Sequence, residues 1–499
     1  EAGEPVKGGG ALNENVPHLA QKIGEALRWS NPRGVVHKKY ARTDVGNAER
    51  LVDTFGEHIR YCFPWRAWLL WDGRRWARDD AGRIFRRAKA VARGIHEDAA
   101  RELDATEQRA INKWALASQS EQRINSMISL ARSEVSIAPG ELDTDPMLLT
   151  VLNGTLDLRT GELRASRPED YITKIAPVEY DAGAAAPRFE QFLEEIFPGD
   201  TELKGFVRRF AGYTLTGSTS ERCMAILHGG GKNGKSTLVE LLRDVMGDYA
   251  RSTETETLLQ KKSSGGANNE VAALKGARFV SAAEVEKGRR LAESKVKQLT
   301  GSDTVSARFL FAEPFDFKPE FKLWLSTNNK PEITGTDDAI WDRIRLIPFE
   351  VRFEGESVDK SLPRKLRDES AGVLAWMVRG CLEWQRGGLG TAEKVTAATE
   401  EYRAEMDAFA DFLTDKCVVS PRASAKYEDL YDEYLDWCRN MGEQELTARR
   451  FGSTLRARGF KSGQVTSGPD KGKRLWEGVG LRSDKPGPGG GRSSTRGVR

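Results

Sequence analysis

Residues 229–236 read GGGKNGKS and match the spacing G-x-x-x-x-G-K-[ST]. The chemistry such a pattern does is phosphate holding. Small residues let backbone N–H groups converge on phosphate oxygens, and a helix starting just behind them adds the positive end of its dipole. Gly229, Gly230, Gly231, Lys232, Asn233 and Gly234 make the loop. Lys235 supplies an ammonium for the β- and γ-phosphates of ATP, Ser236 a hydroxyl for Mg²⁺, and Thr237 completes the set.

An acidic group is also required. The stretch ARFVSAAEVE (277–286) runs apolar or small and then turns acidic at Glu284 and Glu286. A carboxylate at a strand's C-terminal end suits the Mg²⁺ shell and the attacking water, which favours Glu284, with Glu286 as second candidate. A third apolar run, FKLWLS (321–326), ends in Thr327, Asn328 and Asn329. An amide there either meets the γ-phosphate or the attacking water, or merely turns the chain before Pro331.

These groups need a scaffold that brings strand ends together. CMAIL (223–227) reads as a strand, and Leu238, Leu241, Leu242 and Val245 share one face of a helix after the loop. From 197 to 353 strands and helices alternate, which predicts an α/β core with a parallel sheet covered by helices. Ahead of it, 43–196 reads as a mixed, mostly helical domain. Hairpins are expected at Asp72-Gly73 and at 159–161, and a long charged helical tract from 82 to 134. Trp65, Trp68, Trp71 and Trp76 are either hairpin core or a base-stacking platform. Residues 354–406 form a helical extension, 1–42 a flexible arm or linker, and 483–499 a disordered basic tail.

Of 499 residues, 77 are Lys or Arg and 74 are Asp or Glu, so the net charge of +3 names no partner by itself. No apolar run reaches the roughly 18 residues a membrane span needs, so no membrane association is expected. Five scattered cysteines without a C-x-x-C pair fit a reducing cytoplasm rather than a zinc ribbon or a disulfide framework. Charge is concentrated locally. Residues 447–482 carry nine basic side chains against two acidic ones. Arg449, Arg450, Arg456, Lys471, Lys473 and Arg474 are the DNA-contact candidates among them. An amphipathic helix (426–440), a basic helix (447–460) and a hairpin turning at 468–472 predict a winged helix over 407–482.

Together these motifs resemble the superfamily 3 helicases, in particular the helicase part of phage and plasmid primase–helicases and the poxvirus-type primase–helicase. The resemblance rests on GGGKNGKST, on EVE at 284–286, on KQLTGSDTVSARFLFAEPFDFKPEFKLWLSTNNKPEI (297–333) and on AIWDRIRLIPF (339–349). NGTLDLRTGEL (153–163) and RRFAGYTLTGSTSE (208–221) add to it. It implies a AAA+-type ATPase working as a ring, usually a hexamer, with ATP between subunits. By the same resemblance Asn328 is the sensor, and Arg343 the arginine finger reaching a neighbour's γ-phosphate, with Arg345 as alternative. Lys297, Arg308 and Lys318 lie in the stretch that forms a channel-facing hairpin in the family, where lysine and arginine grip DNA phosphates.

The function expected is an ATP-dependent helicase of phage or plasmid-type replication, cytoplasmic in a bacterial host, acting on single-stranded and forked DNA. The alternative is an initiator that melts or remodels an origin without processive unwinding. A metabolic P-loop kinase leaves the basic C-terminal stretch unexplained, and a non-catalytic DNA scaffold has no need of the Lys235, Ser236 and Glu284 set. Fewer than 50 residues precede the Trp-rich stretch, so no primase activity is expected of this chain; a primase part is separate or was removed.

Overall fold

The computed structural model describes residues 39–260, 269–310, 313–333, 338–355, 358–443 and 445–482. Most of the expected N-terminal arm and the whole expected basic tail lie outside the described residues. The chain is mixed α/β and divides into two compact units. One comprises Glu1–Trp71 and Ala77–Glu141, the other Asp72–Trp76 and Leu142–Arg499.

In the first unit, α1 (Asp44–Phe55) is capped by the Thr43 hydroxyl, which accepts from the Gly46 N–H. Strands β1 (Ile59–Cys62) and β2 (Ala67–Trp71) pair antiparallel, and β3 (Trp76–Arg78) follows them in the chain. The charged tract then breaks into α2 (Arg83–Arg101), α3 (Ala105–Ser118) and α4 (Glu121–Glu134). Asp104 and Ser120 cap the second and third of these and so set the breaks. Ile84, Ala88, Val91 and Ala92 of α2 pack with Ile124, Met127 and Ile128 of α4 in one core.

The second unit opens with a small antiparallel sheet, β4 (Leu148–Val151), β5 (Gly154–Asp157) and β6 (Glu162–Arg164). Its Leu149, Val151 and Leu156 share a core with α5 (Pro187–Ile196) and α6 (Thr201–Leu215). The sequence reading set a border near 196. The shared core draws it instead at Glu141/Leu142.

The main sheet has five strands. They are β7 (Met224–His228), β8 (Ala250–Ser252), β9 (Phe279–Ala283), β12 (Lys322–Thr327) and β13 (Ile344–Pro348). Their order is β13-β7-β12-β9-β8, every pair parallel. Between β9 and β12 come α9 (Glu293–Thr300) and an antiparallel hairpin, β10 (Val305–Ala307) with β11 (Phe315–Phe317); α8 (Asn269–Ala272) precedes β9 and α10 (Asp338–Trp341) precedes β13. Side chains alternate between two cores. Ala225, Leu227, Trp324 and Ile347 face the one containing α7 (Lys235–Met246), while Met224, Ile226, Leu323, Leu325 and Leu346 face the other. A sheet covered on both faces needs apolar residues at both parities, which is why these strands read as continuous apolar runs.

Beyond β13 run α11 (Leu362–Asp368), α12 (Ser370–Gly387) and α13 (Glu393–Glu405). Then α14 (Ala408–Lys416), β14 (Cys417–Lys426), α15 (Tyr427–Met441), α16 (Ala448–Ala457), β15 (Lys461–Gln464) and β16 (Arg474–Leu481) complete the described residues. The last three strands are antiparallel in the order β14-β16-β15. Their core holds Phe412, Tyr434, Phe451 and Trp476, so Trp476 is interior.

Candidate nucleotide site

The parallel sheet ends the site's strands together. β7 stops at His228, and loop 229–234 carries the chain into α7. The loop is pinned from outside itself. The Phe349 N–H donates to His228 O at 2.7 Å, the Phe353 N–H to Lys232 O at 2.8 Å, and Asn233 Nδ2 to Phe349 O at 3.3 Å. A Cβ at Gly229 would lie 2.2 Å from Phe349 O. At Gly234, whose φ is +88°, a Cβ would strike Ile196 Cγ2 at 2.7 Å. Those two positions therefore demand glycine. Gly230 and Gly231 face open space.

Lys235 is buried, 4% exposed. Its Nζ donates to Gly229 O at 2.7 Å, Asn233 Oδ1 at 3.0 Å and Asn328 Oδ1 at 3.0 Å. Burial lowers its pKa. Burial also lowers that of His228, helped by the positive charges of Lys330 and Lys235. Lys235, Asn233 and Asn328 thus converge from two neighbouring strand ends. Ser236 and Lys232 are exposed and Thr237 half-buried beside them.

On the next strand, Glu284 follows β9 directly. Its N–H donates to Ser326 O at 2.9 Å, and its φ is +63°. A non-glycine residue in that left-handed region is strained, and such strain collects at functional sites. Its exposed side chain helps line a cavity of about 390 Å³ together with Thr255, Glu256, Glu286, Arg289 and Asn328. Asn328 therefore stands between Lys235 and this cavity. Glu286 is more peripheral, its carboxylate mostly exposed and 3.3 Å from Arg289.

Arg343 and Arg345 lie elsewhere. Ile344 is in register with Met224, at the start of β7 rather than its end. Five residues at roughly 3.3 Å each put Arg343 about 16 Å from the chain's own phosphate loop. Arg343 Nη1 donates to Ala339 O, and its buried Nε has no hydrogen-bond partner among the described residues. The candidate DNA contacts flank the β10–β11 hairpin. Arg308 sits at the tip of the β10–β11 hairpin and Lys318 beyond its base, both exposed, while Lys297 is half-buried on α9.

In the C-terminal module, Arg449, Arg450, Arg456, Lys471 and Arg474 are exposed. Four of the nine basic residues already have partners. Lys473 sits 3.2 Å from Glu428 and 3.3 Å from Asp470, Arg458 pairs with Asp407, Arg474 Nε donates to Ser462 Oγ at 3.2 Å, and Arg482 Nε donates to Cys417 O at 3.0 Å. Lys473 is thus ion-paired rather than free, because acidic side chains of α15 and the hairpin turn reach it. Of the tryptophans, Trp68, Trp71 and Trp76 are buried, and Trp65 is 38% exposed.

Sequence reading missed Lys330, His228, Thr255 and Arg289 at this end of the sheet. For Lys330 the signal was its place directly after Thr327-Asn328-Asn329.

Residues 48–198 match the family model described as "D5 N terminal like", and residues 227–343 a family of unknown function (DUF5906). The chain is 31% identical over 320 residues to the putative helicase L207/L206 of Acanthamoeba polyphaga mimivirus, covering 59% of this chain and 33% of that protein. Over these stretches the chain is similar to viral proteins of the D5-type primase–helicase kind. Other relatives include the putative helicase 022R of Frog virus 3, at 27% identity over 59% of this chain and 39% of its own. The putative primase C962R of African swine fever virus is 25% identical over 59% and 34% respectively. The chain spans about a third of the length of the curated relatives it matches. A solved structure of the NrS-1 C-terminal region, 14% identical, covers 62% of this chain and 78% of its own with a TM-score of 0.38. Among the described residues no helix is long and apolar enough to cross a membrane.

Proposed function

We propose that this chain is an ATP-hydrolysing DNA motor of viral, phage or mobile-element replication. One observation carries the reading. Lys235, in a loop of phosphate-binding sequence, shares its ammonium with the Asn328 amide of the neighbouring strand, 3.0 Å away. Such a pair senses whether phosphate oxygens have replaced the amide as the lysine's partner. The strand order β13-β7-β12-β9-β8, with the phosphate loop after β7, supports a AAA+-type core.

The residues present fit ATP and Mg²⁺. Open space fronts Gly230 and Gly231, Gly229 and Gly234 allow the tight loop, and α7 begins at Lys235 with its dipole end towards the loop. Ser236 and Glu284 are the residues that would hold the metal, which when bound would neutralise phosphate charge. Among the described residues no group of three or more His, Cys, Asp or Glu converges. Lys235 holds the β/γ-phosphates, Glu284 orients the attacking water, and Asn328 contacts the γ-phosphate.

Arg343 is too far from its own loop to act there, which supports a role in a neighbouring subunit's site and hence a ring, by family resemblance a hexamer. The β10–β11 hairpin, with Arg308, Lys318 and the half-buried Lys297 nearby, is the proposed grip on single-stranded DNA. The module of α14–α16 and β14–β16 reads as a winged helix that uses Arg449, Arg450, Arg456, Lys471 and Arg474 on duplex or fork DNA. Lys473 joins them once its surface ion pairs exchange for phosphate, an exchange that costs little.

The test is ATP-dependent strand displacement on forked DNA by the native chain. Displacement that Lys235→Ala abolishes supports the motor. ATP turnover stimulated by DNA without displacement moves the reading to an origin-remodelling initiator, and absence of turnover overturns it. Arg343→Ala is expected to bind ATP without hydrolysing it, and to regain turnover at mixed sites when combined with a Lys235→Ala partner. Loss of ATP binding itself would remove Arg343 from the finger role.

A further inference from the structure

The turn that carries Asn328 does not end at the site. It continues through Asn329, Lys330 and Pro331, which contact the end of α13. Lys330 Nζ lies 2.8 Å from each carboxylate oxygen of Glu405, with its side chain only 15% exposed. The same ammonium stands 5.5 Å from the Tyr402 ring centroid. Tyr402 is fully buried and donates its hydroxyl to Pro331 O. Its ring meets Trp341 edge-on at 5.2 Å, in the short helix α10 just before Arg343. One turn earlier, the Thr399 hydroxyl accepts the Leu346 N–H of β13 at 3.1 Å.

Three contacts of one helix end therefore land on the sensor turn, on the segment before Arg343, and on the strand after it. α13 is a poor candidate for a core helix, because only Val395 and Tyr402 are buried along it. Its C-terminal end is instead polar and specific. A two-oxygen ion pair whose lysine end is sheltered, while the Glu405 carboxylate stays partly in water, holds direction as well as distance.

We propose that Glu405 and Tyr402, acting through Lys330 and Pro331, are positioning residues for ATP hydrolysis. They fix where the Asn328 amide stands relative to Lys235. The proposal rests on the nucleotide reading above. Neither residue touches the nucleotide; each sets the turn that does. Positioning of this kind acts on the chemical step more than on binding, since small displacements of a reacting geometry cost rate steeply.

The experiment uses the full chain with Glu405→Gln and, as the conservative variant, Glu405→Asp. In Glu405→Gln, kcat for ATP is expected to fall about tenfold with KM within about twofold, the signature of an interaction felt in the transition state. Glu405→Asp is expected to recover part of that loss, and both variants to melt with the native chain. Amide hydrogen exchange over 328–333 is expected to quicken in Glu405→Gln, because local opening there is no longer held by the pair. An unchanged kcat, or unchanged exchange in that segment, overturns the proposal. So does a joint rise in KM and drop in melting temperature, which would make the pair merely structural. Should the native chain hydrolyse no ATP, the function reading fails on its own, and the exchange comparison still decides whether Glu405 holds the turn.

Discussion

Two lysines stand buried at opposite ends of the same sheet. Lys235, beyond the end of β7, shares its ammonium among one backbone carbonyl and two side-chain amides, next to open space at Gly230 and Gly231. Lys322, at the start of β12, is 1% exposed. It donates to the backbone carbonyls of Thr216, Ser218 and Glu320 and stands 4.7 Å from the Tyr213 ring centroid. Burial holds the pKa of both below the usual lysine value, Lys322 further. Burial alone therefore does not mark a reactive end. What separates them is the partner. Amide side chains on a loop can rotate away, as the proposed phosphate site would need, whereas backbone carbonyls fixed in the fold cannot turn from the ammonium.

The comparison breaks most sharply at Lys235. Lys235→Ala is expected to cut ATP turnover by about 100- to 1000-fold, in line with removing one charge-stabilising donor, with circular dichroism unchanged. A comparable loss from Lys322→Ala at intact stability would reverse the assignment of the two ends. Lys322→Ala is instead expected to destabilise the chain by about 3 kcal/mol, because it strands buried carbonyls; denaturant melts read this.

A smaller effect is expected in the C-terminal module, whose cations are exposed rather than enclosed. Arg449→Gln with Arg450→Gln should weaken DNA binding and reduce the slope of log K against log salt by about 1–2, for one or two lost phosphate contacts. Fluorescence anisotropy across a salt series measures it, and an unchanged slope would leave α16 outside the interface.

The smallest effect is a pH dependence at the nucleotide end. Burial first, then Lys330 and Lys235, push the His228 pKa below its ordinary 6.5. As pH falls through about 6.5 the unfolded chain takes up a proton that the folded chain refuses, so stability drops until the lowered folded value is reached, by at most about 1.4 kcal/mol per pH unit. His228→Gln should flatten that limb of the stability profile in thermal melts at pH 5 to 7.5.

Much of this architecture is legible along the chain because its signals are local. The loop spacing at 229–236 and the apolar runs of β7, β9 and β12 each depend on residues a few positions apart. What escaped depends on distance. Lys330 and Glu405 are 75 residues apart, and nothing near either one announces the other. Lys322 reads as one charge opening an apolar strand, and only the fold reveals the carbonyls of 216 and 218 above it. The basic count over 447–482 overstates the free charge for the same reason, since Asp407 and Glu428 lie outside that window.

The phosphate loop's outside anchors bear on how the chain matures during synthesis. Asn233 leans on Phe349, 116 residues downstream, and Lys232 on Phe353. A nascent chain that has emerged only as far as α7 owns the loop's sequence but not its shape. Until β13 threads in beside β7, Gly229 has no Phe349 carbonyl to turn against and the Asn233 side chain lacks its outside acceptor, so the loop takes its final shape only after residues up to Phe353 have been made.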